Sequence, residues 1–265
     1  MGEFQWDPTL LKTFSEKLRE RLEASAKDSN VAGFKSVVCY RTGLEVSTVP
    51  NFSAEALALF DAFKHSRSDV PLRLANKPLN DLVVRTTLEI AAEYNKPGMI
   101  PYFPFPGHNT MSASDNHIPS YCLHMSAVQF HTGLGDADIT LTRSSPALLQ
   151  PLIASNPRTT FVLLHASYPY MREAGYLTAM YNNVYLDIGE VFPVVSRGGQ
   201  EAVIRQVLEL APTNKIMWSS ELFFIVSSPP NGNVEDYLAL TQVTDIGGLR
   251  HTTWAVFKHA GRCAR

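Results

Sequence analysis

The stretch "TFVLLHASYPYMREAGYLTAMYNNVYLDIG", Thr160–Gly189, decides the fold class, because a short apolar run, a helical pattern and a second short apolar run follow one another without a break. The two runs, "TFVLLH" and "NVYLDIG", are too short and too continuously apolar to be half-exposed hairpin strands. They read as strands buried on both faces, and the segment between them reads as the crossover helix of a parallel pair. The same alternation extends in both directions. Upstream stand strand "VQFH" from Val128 and helix "SPALLQPLIAS". Downstream come helix "QEAVIRQVLELA" and strand "KIMWSS". Nearer the N-terminus, Asp7 to about Lys27 has Leu10, Leu11, Phe14, Leu18 and Leu22 at helical steps, with Pro8 suited to a first turn. "GFKSVVCY" (Gly33–Tyr40) reads as a strand, and two helical patterns follow, one capped by Ser53 and one beginning after Pro78.

Five strands alternating with helices define an α/β protein with a parallel sheet. A doubly wound sheet and a (β/α)8 TIM-barrel-like fold both fit. The first would carry a glycine-rich phosphate fingerprint after an early strand, and none is present. The barrel also explains why polar residues recur at strand ends: His131, His165, Asp187 and the "SSE" of Ser219, Ser220 and Glu221. In a barrel these side chains gather at the carboxyl face, where such enzymes place their chemistry. Two strand-end histidines suit metal ligation, and the glycines at 133 and 135 let the chain turn sharply after His131. Asp136 and Asp138 in that turn are placed to orient a ligand or a substrate amine.

Composition excludes several function classes. The 265 residues are 45% apolar, enough for a sizeable core, and 23 Lys+Arg against 25 Asp+Glu give a formal charge of -2 with no basic run. Nucleic acid is therefore not an expected partner. No stretch approaches the roughly 18 apolar residues of a membrane span, and the N-terminus has no secretory pattern. Cys39, Cys122 and Cys263 fit neither a disulfide framework nor a zinc-knuckle spacing. A cytoplasmic protein acting on a small-molecule substrate is the expectation.

The motifs "GFKSVVCYRTGL", "QFHTGLGDADITL", "SSPALLQPLI", "FVLLHASYPYMREAGYLTAMYNNVYLDIG" and "LELAPTNKIMWSSE", taken in order, resemble the amidohydrolase-related family, and within it the amidohydrolase-like domains of fungal sporulation proteins. The resemblance implies a metal-dependent barrel that hydrolyses amide or related C–N bonds, or in some branches decarboxylates small acids. It implies a divalent ion, zinc or alternatively manganese, held by His131 on the fifth strand, His165 on the sixth and Glu221 on the eighth. Lys35 stands where some branches place a bridging lysine. Glu221 would also relay the proton of the attacking water, which a zinc-like ion acidifies to a pKa of about 7. Tyr168 and Arg172, in the segment after His165, would bind substrate together with Asp136, Arg172 being suited to a carboxylate.

The chain also departs from that pattern. It begins with the helix before the fourth strand, so strands one to three and their His-x-His pair are expected to be missing. An open edge beside "GFKSVVCY" would then invite oligomerisation. Residues 98–127 form an atypical insertion and residues 222–265 an atypical C-terminal segment of a single 1–265 domain. Both interrupt family-like sequence abruptly, as translated introns or an altered gene model would; a spliced message joining Pro97 to the Val128 region would support this, and a message containing the whole stretch would sink it. These departures keep open a degenerate, catalytically weak barrel with a binding or regulatory role.

Overall fold

The structure is a computed structural model that describes residues 8–28, 31–64, 72–94 and 127–218, with short strand segments at 97–98, 123–124, 241–242, 249–250 and 253–257. Glu221 and most of 98–127 and 222–265 lie outside the described residues. The helices are α1 (Pro8–Lys27), α2 (Phe52–Lys64), α3 (Lys77–Tyr94), α4 (Gln150–Ser155), α5 (Met171–Met180) and α6 (Arg197–Leu208). The central strands are β1 (Val31–Ser36), β2 (Ala127–Phe130), β3 (Thr160–Leu163), β4 (Val184–Asp187) and β5 (Ile216–Met217). All five run parallel, and each pairs with the next in sequence, so the order never reverses. The α/β reading with five parallel strands is thus what the chain adopts.

The edge of β1 expected to lie open is instead paired antiparallel with β7 (Thr253–Phe257), which in turn pairs with β6 (Thr241–Gln242). An oligomer built on that edge would have to displace this pairing.

Strand alternation sorts the side chains onto two faces. Phe34, Val128, Phe130, Phe161, Leu163, Val184 and Leu186 join the main core, which includes Phe14, Leu18 and Leu22 of α1 and Val83 and Leu88 of α3. Within that layer Phe130 and Phe161 stack with ring centroids 5.6 Å apart. On the opposite face Ala127, Val162 and Leu164 form a second, smaller cluster with Tyr185 and Met217. Lys35 and Gln129 share that face, in lateral register with Val162 and Tyr185.

Three boundaries differ from the sequence reading. The strand expected to run to Tyr40 ends at Ser36, because residues 40–43 turn back and donate to the carbonyls of Val37 and Val38. The α2 cap is Asn51, not Ser53: Asn51 Oδ1 accepts from Ala54 N at 3.1 Å and Asn51 N donates to Glu55 Oε1 at 3.1 Å. The expected helix at 145–155 starts as a tighter turn, Pro146–Leu149, and becomes α-helical only from Gln150. Among the described residues no helix is long and apolar enough to cross a membrane.

Candidate metal centre at the ends of β2 and β3

His131 follows β2 directly, and His165 follows β3 by one residue. Backbone bonds bring the two strand ends level: His131 N donates to Ser36 O, and Leu164 N donates to Phe130 O, each at 3.0 Å. Alternation alone would not aim both rings at one point. After Leu164 the chain takes three successive left-handed residues, His165 (φ 62°), Ala166 (φ 51°) and Ser167 (φ 52°). Each costs a non-glycine residue roughly 1–2 kcal/mol, so the surroundings must impose the turn. Thr132 does much of this, since its hydroxyl donates to Leu164 O at 2.8 Å and lies 2.7 Å from Ser167 Oγ. Gly133, itself at φ 67°, leaves the space: a Cβ there would come within 2.5 Å of the Ser167 carbonyl oxygen and collide with the Tyr168 carbonyl.

The result is a buried imidazole pair. His165 Nε2 lies 2.9 Å from His131 Nδ1, with ring centroids 4.3 Å apart, and the two residues are 0% and 8% exposed. Their outer nitrogens are engaged too. His131 Nε2 lies 2.5 Å from Leu134 O and 3.0 Å from Tyr40 Oη, while His165 Nδ1 lies 2.9 Å from Glu190 Oε2, at ion-pair distance but out of line for a hydrogen bond.

These partners assign the tautomers. Leu134 O can only accept, so His131 carries its proton on Nε2 and its Nδ1 is bare. His165 Nε2–H can donate to that Nδ1 at 2.9 Å, and a bound cation would take the place of this one proton. Burial, then His165 and the charge of Lys35, push the His131 imidazole down to about 3 against the pull of the Leu134 carbonyl. A neutral imidazole is the metal-binding form. Two nitrogens on one tetrahedral ion at about 2.0–2.1 Å stand roughly 3.3 Å apart, so the rings would open by a few tenths of an ångström. Carboxylate or carbonyl partners on the outer nitrogens are also how ligand histidines are usually oriented. The pair fits a divalent ion, which His131 Nδ1 and His165 Nε2 would hold. Among the described residues no group of three His, Cys, Asp or Glu is arranged to hold a metal ion, so the pair stands as two candidate ligands.

The other residues singled out in the sequence are dispersed. Lys35 is buried on β1, on the face of the sheet that carries Val162, and its charge reaches His131. Arg172 holds Glu209 with Nε at 2.8 Å and Nη2 at 3.1 Å on the exposed surface joining α5 to α6. Asp136 is exposed and meets the site through its backbone, Asp136 N donating to Tyr40 Oη at 3.3 Å. Tyr168 is half-buried against the core just past the left-handed turn. Asp187 accepts from Gly189 N at 3.2 Å, a structural bond at its strand end. Glu221 lies outside the described residues.

Two participants escaped the sequence reading. Tyr40, taken as the last residue of a strand, swings over His131 with ring centroids 4.7 Å apart, and burial pushes its hydroxyl up to about 12. Gly135 admits it, since a Cβ there would sit 2.8 Å from Tyr40 Cζ. Glu190, also left-handed at φ 61°, follows "YLDIG" directly. An acid three residues past the strand-end Asp187 was the available signal.

The chain is an α/β protein with a parallel sheet and a histidine pair just beyond the ends of two neighbouring strands. Residues 126–245 match the amidohydrolase family profile, and the chain belongs to the amidohydrolase family. It is 42% identical over 219 residues to the protein FluG of Emericella nidulans, a match covering 82% of this chain and 22% of FluG. A crystal structure from Lactobacillus casei, described as a candidate metal-dependent hydrolase, aligns with a TM-score of 0.53 and 26% identity. It covers 77% of this chain and 50% of that protein. The chain therefore spans about a fifth of the length of FluG and half that of the bacterial protein.

Proposed function

We propose that the chain is part of a (β/α)8-type barrel that binds a divalent metal ion, zinc or alternatively manganese, and descends from enzymes hydrolysing an amide or other C–N bond of a small molecule. The barrel reading is supported by the strand order, which runs β1 to β5 without the reversal a doubly wound sheet requires. The metal reading is carried by one observation: the 2.9 Å approach of His131 Nδ1 and His165 Nε2, whose outer nitrogens are committed elsewhere.

A bound ion would supply Lewis acidity to a water and to the scissile carbonyl. The chain's own residues do the rest. Leu134 O and Tyr40 hold the His131 ring, Glu190 faces the outer nitrogen of His165, and Lys35 places a positive charge near the pair. Glu221 is the acid the family resemblance assigns to taking the water's proton and returning it to the leaving nitrogen.

A second reading is a degenerate barrel with a binding or regulatory role. It is favoured by the lack, among the described residues, of any group of three His, Cys, Asp or Glu arranged to hold a metal ion. Weak metal binding and poor turnover are the expected behaviour, since misplacing a catalytic group by about 1 Å can cost on the order of a hundredfold in rate. Zinc and manganese titration by calorimetry, then an assay on N-acyl and γ-glutamyl amides and small carboxylic acids, separates the readings. Stoichiometric micromolar binding with metal-dependent amide cleavage, both lost in His165→Ala, establishes the hydrolase. Acid decarboxylation would move the chain to that branch, and metal binding unaltered by His165→Ala would refute the centre.

A further inference from the structure

The turn after β4 carries an acid up to the histidine pair. Asp187 Oδ2 accepts from Gly189 N at 3.2 Å, and Ile188 N donates to Met217 O at 2.9 Å, so the start of the turn is pinned to the sheet. Val191 N then donates to Gly189 O at 2.7 Å, closing a three-residue turn with Glu190 at its apex at φ 61°. Among the described residues the non-glycine residues held in left-handed backbone are His165, Ala166, Ser167 and Glu190, so this strain is gathered around one imidazole. Glu190 Oε2 stands 2.9 Å from His165 Nδ1, and the glutamate side chain keeps 43% of its surface exposed while that of His165 keeps 1%. Besides burial, which dominates both, the charge of Glu190 is felt by His131 and by the Tyr40 hydroxyl.

What Glu190 does depends on which nitrogen of His165 holds the single proton of the neutral ring. With that proton on Nε2, donated to His131 Nδ1, the Nδ1 lone pair faces a carboxylate oxygen and two acceptors meet at 2.9 Å. With Nε2 committed to a cation, the proton sits on Nδ1 and the same contact becomes a charge-assisted hydrogen bond. We propose that Glu190 is the positioning residue of the metal centre, accepting the proton that moves to His165 Nδ1 when a divalent cation takes Nε2. The proposal rests on the metal reading above. The exchange balances: one N–H is lost at Nε2, one is gained at Nδ1 by way of water, and His165 stays neutral. Glu190 is not itself a ligand here, since it meets the nitrogen on the far side of the ring from His131. Its left-handed backbone is a cost that the loaded state offsets.

The test is zinc titration of the full chain, followed by calorimetry and by imidazole nitrogen NMR, in the wild type and in Glu190→Ala, Glu190→Gln and Glu190→Gly. The proton of His165 should sit on Nε2 without zinc and on Nδ1 with it. Glu190→Ala should weaken zinc binding roughly 10–100-fold, as loss of an outer partner of a ligand does. Glu190→Gln keeps an acceptor oxygen and should recover part of that loss. Glu190→Gly relieves the left-handed backbone, so its urea midpoint should exceed that of Glu190→Ala while its zinc affinity stays as low. A residue that served the fold alone would move stability and leave zinc affinity in place. Zinc affinity in Glu190→Ala within twofold of the wild type, with binding still lost in His165→Ala, would overturn the proposal and keep the metal centre. So would a His165 proton that does not change nitrogen on loading. A wild-type chain with no zinc binding that depends on His165 would overturn both readings together.

Discussion

Gly133→Ala should damage the histidine pair without touching either ring. Gly133 has φ 67°, where an added Cβ costs about 1–2 kcal/mol in backbone strain. That Cβ would also stand within 2.5 Å of Ser167 O, a backbone atom in the left-handed turn, so no flexible side chain can yield. Forced overpacking of this kind costs typically about 1–3 kcal/mol. Together these give a loss of roughly 2–5 kcal/mol, measured by urea denaturation. The natural control is Gly198→Ala in the first turn of α6, where a Cβ meets nothing within 4 Å. That change should be neutral or stabilise by up to about 1 kcal/mol. Because the clash pushes on Ser167, two residues from His165, any surviving Gly133→Ala protein should bind zinc more weakly than its stability loss requires. A Gly133→Ala loss within about 0.5 kcal/mol of the Gly198→Ala value would refute the account of the turn.

Thr132→Val removes the hydroxyl that ties Leu164 O and Ser167 Oγ, and should cost about 1–2 kcal/mol by denaturant titration; no change would show that the turn is held elsewhere. Burial pushes the Cys39 thiol from 9.0 up to about 12, so its contribution to stability is present below pH 9 and lost as pH rises through 12. Iodoacetamide at pH 8 should leave Cys39 unmodified in the native chain by mass spectrometry and label it after unfolding. Arg172→Ala, which frees only an exposed pair with Glu209, should leave zinc affinity and any turnover unchanged. A raised KM with unaltered zinc affinity would restore it as a substrate contact.

How much of this was legible depended on the kind of signal. Apolar runs between helical patterns identify β2, β3 and β4, because burial on both faces leaves little choice of residue. The strand-end histidines follow from the same reading, since polar side chains at the ends of apolar runs have few places to go. What a single side chain does once the backbone departs from its regular course could not be read in this way. Arg172 looked available for a ligand because its pairing with Glu209 spans 37 positions of sequence. Tyr40 looked like a strand residue because the turn that swings it over His131 depends on carbonyls at Val37 and Val38 rather than on its own identity.

The same distinction explains why the histidines meet at all. Strand register places His131 and His165 side by side, as any parallel pair would place two residues just beyond its ends. The further step, from neighbours to nitrogens 2.9 Å apart, is taken by three left-handed residues that none of the side chains concerned prefers. Such a run persists only where its surroundings over-determine it, and here Thr132, Gly133 and the Leu164 carbonyl all bear on it. The strained form keeps His165 Nε2 against His131 Nδ1, and that contact supports the reading of the pair as a site.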